Sequence, residues 1–372
     1  MDFDLTEEQQ AVYDLAAQIF TDRLTAERFK EIDSSGDRFD RELWLELAKA
    51  GLLSISIPQA HGGAGESFLA TALLLEQAGR YAAPVPILPT IVMGALPVAR
   101  FGDAEQQERV LPRVVAGELV MTAALVEPGT DPGAPSTRAR ADGKGWRLSG
   151  SKTCVAAGTL AGTMLVPATT GEGTVGVFLV DASTPGFSIT RLATTTGDPE
   201  AHIDLDGVPA QALGDPAGGK EVVDWILTHA TSAICSQLAG VCKQAVALTA
   251  EYTKSREQFD RPIATFQAVA QRAADAYVDA EAVWLTSRQA AWRLGEGLPA
   301  AEEVAIAKFW AADGGQRVVH AAQHLHGGVG VDRDYPLHRY FLMAKQLELT
   351  LGGATANLLK LGHILATQPA SL

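Results

Sequence analysis

Hydrophobic positions recur every three to four residues through the first third of the chain. In DLTEEQQAVYDLAAQIF, Val12, Leu15, Ala16, Ile19 and Phe20 line one helical face, and Thr6 and Gln9 have the spacing of a capping box. FDRELWLELAKAGLL and ESFLATALLLEQAGRY have the same period, as does the shorter FGDAEQQERVLPRVVAGE. The glycine-rich SIPQAHGGAGES predicts a loop between helices. Near Val120 the texture changes. To about Gly218, apolar and polar residues alternate in short runs broken by Gly, Pro, Asp and Thr: MTAALVE, GWRLSGSKTCVA, TMLVPATT, GTVGVFLVD and HIDLDGV. No crossover helices intervene, so an antiparallel sandwich or barrel is predicted rather than a doubly wound parallel sheet. From Gly219 the helical period returns in long runs, roughly 227–254, 264–296, 300–325 and 337–367, joined by short connections as in a bundle. The predicted fold is α+β: a helical domain over 1–118, an antiparallel β domain over 119–218 and a C-terminal four-helix bundle over 219–372.

Composition narrows the chemistry. The 372 residues carry a formal charge of −14, which argues against nucleic acid or an anionic membrane as the main partner. Cys154, Cys235 and Cys242 are too few and too irregular for a disulfide framework or a zinc site, and no metal is expected. The acidic start MDFDLTEEQQ is not a secretory signal, and no apolar run approaches the ~20 residues of a membrane helix. A cytoplasmic protein is expected.

Six phrases in order along the chain carry a resemblance: IPQAHGGAG, FGDAEQQERVLPRVVAGE, LVEPGTD, LSGSKTCVA, SREQFDRPIATFQAVAQRAAD and HLHGGVGVDRDYPLHRY. Together they resemble the acyl-CoA dehydrogenase family, which has the same helix–β–helix layout. The resemblance implies FAD, an acyl-CoA thioester substrate, α,β-dehydrogenation and a dimer of dimers with each flavin lying across a subunit boundary. Such chemistry needs a carboxylate to take the α proton and a flavin to accept the β hydride.

At the base the chain departs from the family. Members with the usual base read Glu-Gly-Thr where this chain has LGGAT, which aligns Gly353 with the glutamate. Some relatives carry the base on a helix of the C-terminal domain, at the position of Ala230, with an arginine at that of Thr231. Neither Gly353 nor Ala230 accepts a proton, so no catalytic residue is assigned. In the β domain the family's Thr-Glu-Pro becomes Val126-Glu127-Pro128, and Cys154 and Ala156 replace an aromatic and a Ser or Thr near the flavin.

Other family features persist. Arg256, Phe259 and Gln267 match residues that reach the FAD of a neighbouring subunit; Gly327, Gly328 and Gly330 match a close backbone approach to cofactor, and His324 stands where the family has glutamine. Taken singly, Arg256 would pair with Asp260, and His324 and His326 would be interior histidines at a helix end. Taken together, they resemble the base-free chain of heteromeric (α2β2) actinobacterial enzymes that degrade steroid side chains, in which a second subunit carries the base and FAD is shared. Two other expectations stay open: a self-sufficient enzyme whose base has moved to Glu348 or Glu251, and a scaffold or acyl-CoA-binding protein that keeps only the fold.

Overall fold

The computed structural model describes residues 3–143 and 145–367. Helix α1 (Glu7–Arg23) starts at Thr6, whose hydroxyl accepts from the Gln9 N–H while the Gln9 side chain accepts from the Thr6 N–H. That is the capping box the spacing predicts. There follow α2 (Ala26–Ser34), α3 (Arg41–Lys49), α4 (Phe68–Arg80), a π-helical stretch (Leu88–Ala95) running into α5 (Leu96–Phe101), and α6 (Ala104–Val115). One seven-stranded sheet comprises β1 (Met121–Ala123), β2 (Arg138–Asp142), β3 (Gly145–Val155), β4 (Thr163–Gly171), β5 (Thr174–Asp181), β6 (Phe187–Arg191) and β7 (Ala201–Ala212). The last region holds α7 (Gly219–Ser255), a hairpin of β8 (Glu257–Gln258) and β9 (Arg261–Pro262), α8 (Gln267–Gly295), α9 (Ala301–His326), α10 (Leu337–Leu349) and α11 (Ala354–Thr367).

These elements form two compact units, with α7 contributing to both. One unit comprises Lys30–Glu66 and Pro84–Ala230. Its sheet runs β1-β4-β2-β3-β7-β5, and β4 also pairs with β5, so five strands close on themselves. Leu148, Met164, Val166, Phe178, Ile203 and Val208 fill the interior, as alternation places them, and the Trp146 ring lies 5.2 Å from that of Phe178. The pairing is antiparallel except for β1 against β4 and one residue pair, Arg138 with Thr169, between β2 and β4. Strands β2 and β6 are the exposed ones: all but one of their residues are partly or fully exposed.

The other unit comprises Met1–Phe29, Ser67–Ala83 and Thr231–Leu372, so α1 and α4 pack with the C-terminal helices. Glycine makes the α4–α7 crossing possible. A Cβ at Gly79 would lie 1.9 Å from the Gln237 carbonyl oxygen, and one at Gly240 would lie 1.8 Å from that of Glu76. Beside the crossing, the buried Glu76 carboxylate accepts from Arg288 (2.8 Å), Lys243 (3.0 Å) and Tyr13 (3.2 Å). The charge is therefore paired rather than stranded.

Two sequence expectations need correction. The run 337–367 is two helices, broken where Leu351 (φ +57°) and Gly352 (φ +93°) take left-handed backbone. One apolar helix does reach membrane-spanning length and hydropathy among the described residues: α7, whose most apolar 18-residue window is 61% buried inside the protein, as in a core helix.

Candidate functional site

The hairpin after α7 displays the residues expected at a shared cofactor. Arg256 follows the last residue of α7; its N–H donates to the Tyr252 carbonyl, and its own carbonyl accepts from the Ile263 N–H, both at 2.8 Å. Phe259 and Asp260, at the tip, have φ of +56° and +62°. This is the turn geometry that Asn-Gly usually supplies, so holding a phenylalanine there costs ~1–2 kcal/mol. The strain presents an aromatic ring outward, and Phe259 is 86% exposed. Its ring meets Phe266 edge-on at 6.1 Å, and the Arg261 guanidinium covers Phe266 at 4.3 Å. The Arg256–Asp260 pair does not form: among the described residues Arg256 makes no ion pair. Gln267 is the first residue of α8, exposed, and the helix has no side-chain cap, so its first N–H groups can receive an anion.

Helix α9 ends against the glycine turn. His324 is exposed and its side chain has no hydrogen-bond partner among the described residues, whereas His326 is buried. Gly327 takes φ +61°, ψ −136°, which is open to glycine alone. Beyond Gly327 and Gly328 lies open space, so the backbone there is accessible to a large ligand. Gly330 is buried, and a Cβ there would come within 2.6 Å of Gln323 Nε2.

Gly353, aligned by the sequence with the family's base, lies in a well-built turn. Lys308, fully buried, donates to the Leu347 (2.6 Å) and Glu348 (3.1 Å) carbonyls at the end of α10, and burial pushes its ammonium down to about 8. Asn357 Nδ2 donates to the Gly352 (3.0 Å) and Gly353 (3.1 Å) carbonyls. A Cβ at Gly353 would meet nothing nearer than the Glu348 carbonyl at 4.0 Å. Glu348 itself is held by Lys345 at 2.5 Å, and Glu251 pairs with Lys254 at 3.2 Å on an exposed face. Lys308 and Asn357 carried no signal in the sequence, where each is a single polar residue in a helical run.

In the sheet unit, Ala230 is fully buried in α7. One residue earlier, His229 stacks on Trp225 with centroids 3.7 Å apart, and Nδ1 lies 2.9 Å from the Trp225 carbonyl. Val126 leads into a loop held by Glu127. That buried carboxylate accepts from Lys152 (2.5 Å), from the Ser136 hydroxyl and N–H, and from the Thr137 N–H (3.1 Å). Burial alone would raise its carboxyl, but these hydrogen bonds and the Lys152 charge prevail and hold it at about 2. At the β3 bulge Cys154 is exposed with φ +49°, and Ala157 follows with φ +53°, so non-glycine residues hold left-handed backbone there.

Acid should destabilise the fold in two windows. Burial depresses His229 to about 4, so between pH 6.5 and 4 the unfolded chain takes up a proton that the folded chain refuses. Stability should fall across that window by on the order of 3 kcal/mol, from a shift of about 2.5 units at 1.36 kcal/mol each. Buried His326, also depressed, adds in the same direction. Glu127, depressed, contributes stability that is full above about pH 4.5 and lost toward pH 2. Denaturant midpoints measured against pH check this; His229→Gln should flatten the upper window, and an unchanged slope would contradict it.

The fold and these motifs have clear relatives. Acyl-CoA dehydrogenase N-terminal, middle and C-terminal domains match residues 6–118, 122–207 and 217–361. Acyl-CoA dehydrogenase FadE27 of Mycobacterium tuberculosis is 43% identical, aligned over all of both chains. The ChsE4-ChsE5 complex of M. tuberculosis contains a chain that superposes with a TM-score of 0.94 at 44% identity, covering 100% of each. A variant of the Tcur3481-Tcur3483 steroid ACAD gives 0.92 at 46% identity, covering 98% of this chain and 99% of that one. Three domain matches in order, full-length identity and a superposable fold agree: the chain belongs to the acyl-CoA dehydrogenase family, FAD-binding oxidoreductases acting on CH–CH bonds.

Proposed function

We propose that this chain is the base-free, cofactor-sharing subunit of a heterotetrameric (α2β2) FAD-dependent acyl-CoA dehydrogenase whose partner subunit carries the base. One contrast carries this: neither Gly353 nor Ala230 ionises, while the Arg256 hairpin and the glycine turn stay built and outward-facing. The donor set there suits FAD, with an unpaired guanidinium for a diphosphate, an exposed aromatic for the adenosine and open glycine backbone for close approach. When bound, FAD supplies the hydride acceptor. Arg256, Phe259, Gln267, His324, Gly327, Gly328 and Gly330 hold and orient it, while the ring lies in the partner. Val126, Cys154 and Ala156 are free to drift because this chain's own ring site is unused. The lysine pairing of Glu348 and Glu251 disfavours a relocated base. The domain division at 1–118, 119–218 and 219–372 belongs to the same proposal. So does the substrate, a bulky CoA thioester of the steroid side-chain class, supported by the likeness to a steroid ACAD of two components and to the ChsE4-ChsE5 complex.

The test is the flavin-to-protein ratio of the co-purified complex after denaturation. About one FAD per pair of unlike chains is expected. One per chain would refute the shared-cofactor arrangement.

A further inference from the structure

The glycine turn and the Arg256 hairpin sit at the ends of different helices, yet one buried imidazole joins them. His326 Nδ1 lies 2.8 Å from the Ala322 carbonyl, so Nδ1 carries the proton and donates. Nε2 is then the acceptor for the Tyr335 O–H at 3.0 Å. The ring stacks on Tyr252 with centroids 4.4 Å apart and planes 22° from parallel. Tyr252 also packs edge-on against Tyr335 at 6.2 Å, and its carbonyl receives the Arg256 N–H. His326 therefore ties the end of α9, where the glycine turn begins, to the turn before α10 and to the last coil of α7. It is 3% exposed, so it touches no ligand itself. Burial lowers its pKa, which favours the neutral form that both hydrogen bonds need.

We propose that His326 is a positioning residue for FAD, fixing the glycine turn against the Arg256 hairpin through Tyr335 and Tyr252. This rests on the function proposed above. A leucine or phenylalanine would fill the same volume; only a group that donates on one side and accepts on the other fixes the two segments in register. The effect belongs to cofactor affinity rather than to bulk stability, because Arg256 and the glycine backbone must meet one diphosphate together.

The test titrates FAD into the apo complex and follows flavin fluorescence. Tyr335→Phe, which deletes only the O–H, should weaken FAD about threefold, and His326→Phe, which keeps the stack, about tenfold. The double variant should be no worse than His326→Phe, because both act through one link. His326→Gln, which keeps a donor and an acceptor, should recover part of the loss. Unchanged FAD affinity in both single variants, or a glutamine no better than phenylalanine, would overturn the inference. If His326→Phe does not assemble, Tyr335→Phe alone decides. Arg256→Ala run in parallel separates the two claims. Loss there without loss in the His326 series sinks only this inference, whereas no loss anywhere sinks the shared-cofactor proposal as well.

Discussion

The purified chain, assayed alone with an acyl-CoA thioester and a dye acceptor, should turn over no substrate. A positioned carboxylate base contributes ~10²–10⁴-fold, and neither position where the family carries one can accept a proton here. Gly353→Glu gives the sharper result. The position has open space around its Cβ and no left-handed φ, so the glutamate enters without strain and the variant folds. On the proposed reading it should still show no appreciable activity, because Val126, Cys154 and Ala156 would leave a flavin ring in this chain without the contacts that orient it. Misplacement by ~1 Å costs ~10²-fold. Turnover by the unmodified chain would refute the base-free assignment, and loss of that turnover in Glu348→Gln or Glu251→Gln would identify a relocated base. Turnover gained by Gly353→Glu would show instead that the β-domain substitutions are harmless.

On the shared-cofactor proposal, Arg256→Ala should weaken FAD binding by the heteromeric complex about 10- to 100-fold, although the flavin ring would lie in the other subunit. A hydrogen bond to a charged group contributes ~1.5–3 kcal/mol, and the guanidinium can span two phosphate oxygens. Nothing in this chain competes for it, since Arg256 is exposed and makes no ion pair among the described residues. Arg256→Lys should fall between the two, keeping the charge and losing the fork. Flavin content after gel filtration at a series of FAD concentrations measures this. Identical content in wild type and Arg256→Ala would remove the hairpin from cofactor binding and leave a scaffold role.

The sequence by itself determined the α–β–α order, the inward faces of the sheet strands and the cap of α1, because each is written in the local period of apolar residues or in a three-residue spacing. It also determined that Gly353 and Ala230 carry no ionisable group in any fold, which is the ground of the base-free proposal. The hairpin and the glycine turn were legible as motifs, but their outward presentation was not. Only tertiary structure decided that α1 and α4 join the C-terminal helices, because that depends on Gly79 and Gly240 meeting carbonyls far away in the chain, those of Gln237 and Glu76. It alone paired β1 in parallel with β4, since strand pairing uses backbone groups that every residue carries. It alone gave Lys308 its carbonyls and His326 its tyrosines. Those partners come from other elements, and a buried polar residue is identified only by what it meets.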